Sequence, residues 1–98
     1  SLIVCLRGRW LTPELRSAGV AGAMRSWLLQ SFTPTRPFQL QVGSVRFGEL
    51  HEVTSMAFCN SVFGIVPVAR LQGRSLDVEA VVKAWQKPVH EELNLPWG

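Results

Sequence analysis

Apolar residues fall along this chain in two periods. Leu2-Ile3-Val4-Cys5-Leu6 is an uninterrupted apolar run, the form of a strand buried on both faces. Thr12-Pro13-Glu14 then offers a capping hydroxyl, a proline suited to the first helical position and a first-turn acid, with Ser17 as a second candidate cap. Val20, Met24, Trp27 and Leu28 follow at helical spacing, which predicts a helix ending near Gln30, ahead of Pro34 and Pro37. Phe38-Gln39-Leu40-Gln41-Val42 alternates apolar with polar, the mark of a half-buried strand. Between Glu49 and Cys59 the two periods compete. Leu50, Val53 and Ala57 suit a helix, whereas Leu50, Met56 and Phe58 suit one face of a strand; a short helix is the preferred reading.

Val66 to Leu71 reads as a further strand, although Pro67 inside it has no N–H to give to a ladder. Gly73 marks a tight turn. Ser75 can cap a last helix carrying Val78, Val81, Val82 and Trp85, which Lys83 and Lys87 favour at its C-terminus and Pro88 ends. This order predicts an α/β, thioredoxin-like fold: a mixed four-stranded sheet whose first two strands are parallel across a helical crossover, then a hairpin. Two main helices and a short third one complete it. Residues 1–87 form the domain, and residues 88–98 an extended C-terminal tail whose Pro88 and Pro96 keep it out of helix.

Composition changes this picture in one respect. The 98 residues suffice for a single domain. They are 47% hydrophobic and 17% charged, against a usual charged fraction of about a quarter, so part of the apolar surface is expected to face a partner. Charge is uneven: residues 1–46 hold six arginines against Glu14 alone, while residues 47–98 hold four basic and six acidic groups. The arginines are dispersed and form no basic run, so RNA is not favoured as the partner. No apolar run approaches the roughly 20 residues that cross a bilayer, which points to a soluble or peripheral chain. Cys5 and Cys59 stand far apart with no C-x-x-C, which supports neither a disulfide framework nor a zinc ribbon. The Arg-rich, acid-poor start is similar in composition to a transit peptide, but residues 2–6 have the pattern of a core strand.

Two resemblances follow from these residues. Val66-Pro67, Gly73, Leu76, Val81-Val82 and Trp85 resemble the cis-proline, hairpin glycine and closing helix of glutathione-transferase amino-terminal domains. That resemblance implies that Pro67 opens a strand beside the first one and that residues 49–58 are helical. Ile3-Val4-Cys5, the basic turn after it, Ser17-Ala18-Gly19-Val20, the strand at Phe38 and Ser75-Leu76-Asp77 are similar to the small thioredoxin-fold accessory subunit of mitochondrial complex I and its mitoribosomal relatives. That similarity implies a strand over residues 50–58 and a protein without dithiol chemistry, on the matrix side of the mitochondrion.

Candidate chemistry is sparse. The loop Arg7 to Thr12 has no cysteine where a thioredoxin-type thiolate would sit, and Cys5 inside an apolar strand reads as an inert core residue. Glu79 occupies the place where the glutathione-transferase pattern would need a hydroxyl, so that ligand site reads as lost. Thr12 reads as a cap, and His51-Glu52 and His90-Glu91 lack further metal-binding side chains at ligand spacing. Trp27 and Trp85 lie on helical stripes and are assigned to the core. Trp10 with Arg7 and Arg9, and Trp97 with Leu93 and Leu95, have no periodic reason to be buried and are the candidate partner contacts. Pro67, Gly73 and Cys5 are assigned structural roles. No catalytic residue, cofactor site or metal site is expected. The resulting expectation is a non-catalytic accessory subunit of a mitochondrial assembly, complex I above all, contacting other protein subunits; a mitoribosomal protein or a degenerate glutathione-transferase-like domain is the alternative.

Overall fold

The computed structural model describes residues 1–13, 23–30 and 39–96. Its first two strands, β1 (Leu2–Leu6) and β2 (Arg9–Thr12), form an antiparallel hairpin with Leu6 opposite Arg9. The two residues between them, Arg7 and Gly8, both have positive φ, at 51° and 76°. A two-residue loop of that kind matches the right-handed twist of the strands it joins. The first strand is therefore not the start of the expected parallel crossover: Arg7-Gly8 turns the chain straight back, β2 takes the place beside β3, and Thr12 sits in a strand instead of capping a helix.

Helix α1 (Ala23–Gln30) leads to the short strand β3 (Leu40–Val42), which pairs parallel with β2. A 3₁₀ segment, Phe47–Glu52, enters β4 (Val53–Asn60). Residues 53–60 are thus a strand where a helix was preferred. The reason is tertiary, since β4 lies between β1 and β5 (Gly64–Pro67) and pairs antiparallel with both. The sheet has five strands in the order β3-β2-β1-β4-β5, so it is not the four-stranded thioredoxin-like sheet expected. A register shift between Cys5 and Leu6 places one extra β4 residue opposite β1. The bulge turns Val53 to the same side of the sheet as Met56.

Pro67 ends β5, the edge strand, paired with Ala57 of β4. It neither opens a strand nor lies beside β1. At the end of an edge strand its missing N–H removes no ladder bond. A second hairpin, β6 (Arg70–Leu71) and β7 (Arg74–Ser75), turns through Gln72 and Gly73 at φ 51° and 79°, the same device as Arg7-Gly8.

Both faces of the sheet are covered. On one side Ile3, Trp10, Leu40, Ala57, Cys59 and Ile65 pack against α1 and the last helix. On the other, Val4, Leu6, Leu11, Val53, Met56 and Leu76 gather with residues of the 3₁₀ segment and the β6–β7 hairpin. Trp10, expected on the surface, is 5% exposed and meets Trp85 edge to face with ring centroids 5.9 Å apart.

The last helix starts at α2 (Val78–Val81), capped by Asp77, whose carboxylate accepts the Ala80 amide at 3.0 Å. Ser75, the expected cap, belongs to β7. The helix passes through a π-helical stretch (Val82–Gln86) into α3 (Lys87–Glu92) with helical dihedrals at both junctions. Pro88 therefore does not end it. A proline inside an α-helix clashes with the carbonyl four residues back, and the wider π turn just before Pro88, where the Lys87 amide reaches back to the Val82 carbonyl, accommodates its ring. Residues 88–92 are helical where an extended tail was expected, and Val89 and His90 are 0% and 3% exposed. The chain leaves the helix through Asn94 at φ 55°, with the Leu95 amide on the His90 carbonyl and the Asn94 amide on the Glu91 carbonyl, a Schellman motif with asparagine in the usual glycine position.

Candidate functional site

One end of the sheet lies beside helix α1 and two cavities. There β1 begins, while β2 and β4 finish, as the pairings of Leu2 with Phe58 and Val4 with Leu11 require. Helix α1 begins against this end. Its Arg25 donates from Nη2 to the Pro13 carbonyl at 3.2 Å, tying the helix to the end of β2.

A cavity lies on each flank of α1. The first, of about 270 Å³, is lined by Leu2, Thr12, Pro13, Arg25 and Phe58 together with Ser1. The second, of about 330 Å³, is lined by Met24, Trp27, Ser61, Leu93 and Leu95. Ser61 stands in the β4–β5 turn, where the Asn60 carboxamide oxygen accepts the Val62 and Phe63 amides at 2.9 and 2.7 Å. Such local bonding holds a turn without help from the ladder. The turn is locked from behind by His90. Its Nε2 accepts the Ile65 amide at 2.9 Å, so Nδ1 carries the proton and donates to the Pro96 carbonyl at 3.0 Å.

Arg25 brings a charged side chain to this end. Its Nε is buried and has no hydrogen-bond partner, and among the described residues no carboxylate pairs with it. Thr12 beside it is 1% exposed. Burial pushes the Cys59 thiol up, and the nearby Arg25 opposes that shift.

The residues expected to contact partners are not brought together. Arg7 and Arg9 lie at the other end of β1. Arg7 is committed to Glu52 and Glu49, with Nη2 to Glu52 at 2.7 Å and Nη1 to Glu49 at 3.0 Å, and it holds the Glu52 carboxyl below its usual range. Trp10 is buried in the core. Leu93 and Leu95 line the second cavity, and Trp97 lies outside the described residues. Cys5 is a half-buried free thiol of β1. Among the described residues no group of His, Cys, Asp or Glu could hold a metal ion, and no helix is long and apolar enough to cross a membrane. Sequence reading passed over Arg25 because it counted only as one of six dispersed charges. Asn60-Ser61, a turn-forming pair between two apolar runs, was a usable signal for the end of β4.

Residues 1–71 match the family of class IV aminotransferases. The chain belongs to that family, one of pyridoxal-phosphate enzymes of fold type IV. Among solved structures, 4-amino-4-deoxychorismate lyase from Pseudomonas aeruginosa superposes with a TM-score of 0.76 and 32% identity over 96% of this chain. The chain spans 34% of that lyase's length. No curated protein sequence matches it.

These matches overturn the thioredoxin-like assignment and the glutathione-transferase and complex I resemblances with it. They equally overturn the expectation of a non-catalytic accessory subunit, because the family is one of enzymes. A strand near the start, a proline beside a late strand and a closing helix are common to both architectures, whereas the β1–β2 hairpin and the five-strand order set this sheet apart.

Pyridoxal phosphate asks for a lysine to bind its aldehyde carbon, a partner for its ring nitrogen and an oxyanion holder for its phosphate. The orphaned Nε–H of Arg25 fits the last of these. The chain has two lysines, Lys83 and Lys87. Both are exposed on the last helix, and neither lines either cavity.

Proposed function

We propose that this chain forms part of a pyridoxal-phosphate-dependent lyase of the 4-amino-4-deoxychorismate lyase kind, contributing the cofactor-facing end of its sheet. The observation that carries this reading is the 32% identity to that lyase maintained over 96% of the chain. When bound, the cofactor supplies an electron sink for bonds next to the substrate's amino-bearing carbon. Arg25 and Thr12 would hold its phosphate, and the turn Asn60–Gly64 borders the same end of the sheet. Lys83 and Lys87 point to solvent, so the lysine that carries the cofactor comes from polypeptide beyond these residues. The family match favours a second reading, amino-group transfer to a 2-oxo acid, on the same scaffold.

The test uses the full-length polypeptide containing this segment, loaded with pyridoxal phosphate and given 4-amino-4-deoxychorismate with and without an added 2-oxo acid, with products read by mass spectrometry. A lyase consumes the substrate without the 2-oxo acid, and the substrate nitrogen stays in a product. Transfer requires the 2-oxo acid and moves the nitrogen to it. Consumption by neither route, in protein that binds the cofactor, would reject both readings.

A further inference from the structure

We infer that Gln86, His90 and Pro67 together close the free edge of the sheet, and that without this cap β5 pairs with β5 of a second copy of the chain. Among the described residues β5 is the last strand of the sheet, with β4 on one side of it only. The Val68 amide donates to the Met56 carbonyl at 2.9 Å. Hydrogen bonding alternates along an antiparallel pair. Val66, opposite Phe58, therefore also bonds to β4, whereas Ile65 and Pro67 turn their backbone groups to the open side. A row of unpaired groups in that position is a template for another strand.

Neither donor position on that row is open. The Ile65 amide is taken by His90 Nε2 at 2.9 Å, and position 67 is a proline, which has no N–H to offer. The Ile65 carbonyl is taken as well, by Gln86 Nε2 at 3.0 Å. Gln86 and His90 stand four residues apart on the last helix, a spacing that puts two side chains on one helix face. One acceptor and one donor thus meet both backbone groups of a single strand residue, as a neighbouring strand would. The cap matters because Phe58, Val62, Phe63 and Val66 on this hairpin are exposed. An apolar edge left open recruits another chain, which completes the ladder and buries that surface. Pairing of β5 with its own copy about a two-fold axis satisfies both edges at once and closes the assembly at two. The cap stands on these contacts alone, apart from the proposed reaction, and activity does not enter its test.

The test uses the full-length polypeptide containing this segment, with association followed by sedimentation velocity over a range of concentrations. Gln86→Ala combined with His90→Ala should double the mass of the sedimenting species, at concentrations at least about tenfold below any at which the unaltered protein does so. Adding Val66→Lys, which places a charge on the edge strand, should return that variant to the unaltered behaviour. His90→Gln alone, whose side-chain oxygen can accept the Ile65 amide, should not associate further. A folded double variant that associates no more than the unaltered protein, or association that Val66→Lys leaves in place, would overturn the cap. If the double variant does not fold, amide hydrogen exchange of the unaltered protein decides. The Ile65 amide, although it faces away from β4, should exchange within about tenfold of the rate of the Val66 amide in the ladder. Faster exchange than that would show an open edge and reject the inference.

Discussion

His90 in α3 accepts the backbone amide of Ile65 in β5 on its Nε2, at 2.9 Å, with both residues almost fully buried. Through this contact the last helix holds the edge strand and the turn that presents Ser61. The second ring nitrogen closes on the Pro96 carbonyl. One neutral imidazole thereby joins the helix, the sheet edge and the segment after the helix, which makes residues 88–96 part of the domain's own structure.

Replacing His90 by alanine leaves a buried Ile65 N–H without its acceptor and opens a cavity. A loss of about 2–3 kcal/mol is expected from chemical denaturation, a fall of roughly 10 °C or more in melting temperature for a domain of this size. A change under about 0.5 kcal/mol, the range of an ordinary surface substitution, would show that the clamp does not contribute.

Gly64 and Gly73 separate backbone strain from crowding. Both have positive φ, 74° and 79°, but a Cβ on Gly64 would run into His90 Nε2, whereas one on Gly73 meets nothing within 4 Å. Gly73→Ala should cost about 1–2 kcal/mol, the left-handed conformation alone. Gly64→Ala should cost about 3 kcal/mol or more, because the imidazole must also leave its place. The two denaturation midpoints measured side by side give the comparison, and equal losses would contradict the packing described.

Burial raises the Cys59 thiol, and the sign of its effect on stability follows. The folded state favours the neutral thiol, so its contribution is complete below the unfolded thiol's ordinary value of about 8.5. It is lost as pH rises from there through the folded value. Unfolding free energy of the wild-type chain should therefore fall more steeply above that pH than it does in Cys59→Ala. Alkylation of Cys59 should track global unfolding, measured by slowed labelling under stabilising conditions. Parallel pH profiles for the two proteins would count against this.

Local elements were legible where their signals are local. Leu2–Leu6 is a strand because five apolar residues in a row suit a position covered on both sides, and Met24, Trp27 and Leu28 form an inward stripe on α1 as their spacing requires. Gly73 lies in a tight turn at positive φ, where glycine has no Cβ to clash. The hairpin at Arg7-Gly8 was overlooked because its first turn residue is arginine, while the usual signal is asparagine or aspartate before glycine. Missing that turn left residues 9–12 as a loop, paired the first strand with the one near residue 40, and put Trp10 on the surface.

Residues 49–60 show where local pattern ends. Leu50, Val53, Met56 and Ala57 satisfy two periods; Leu50 lies in the 3₁₀ segment, and pairing with β1 and β5 selects the strand for the residues from Val53 on. Pro88 likewise reads as a stop until the helix widens into a π turn beneath it. What the amino-acid order determined by itself was the set of apolar faces and the tight turn at Gly73, because each depends on neighbours within a few residues. Only the tertiary structure decided the order of the strands, the depth of Trp10 and His90, and the meeting of Thr12 with Arg25 at one end of the sheet. Those depend on contacts between distant segments, whose closure is governed by the packing of the whole core and leaves no periodic trace in the chain.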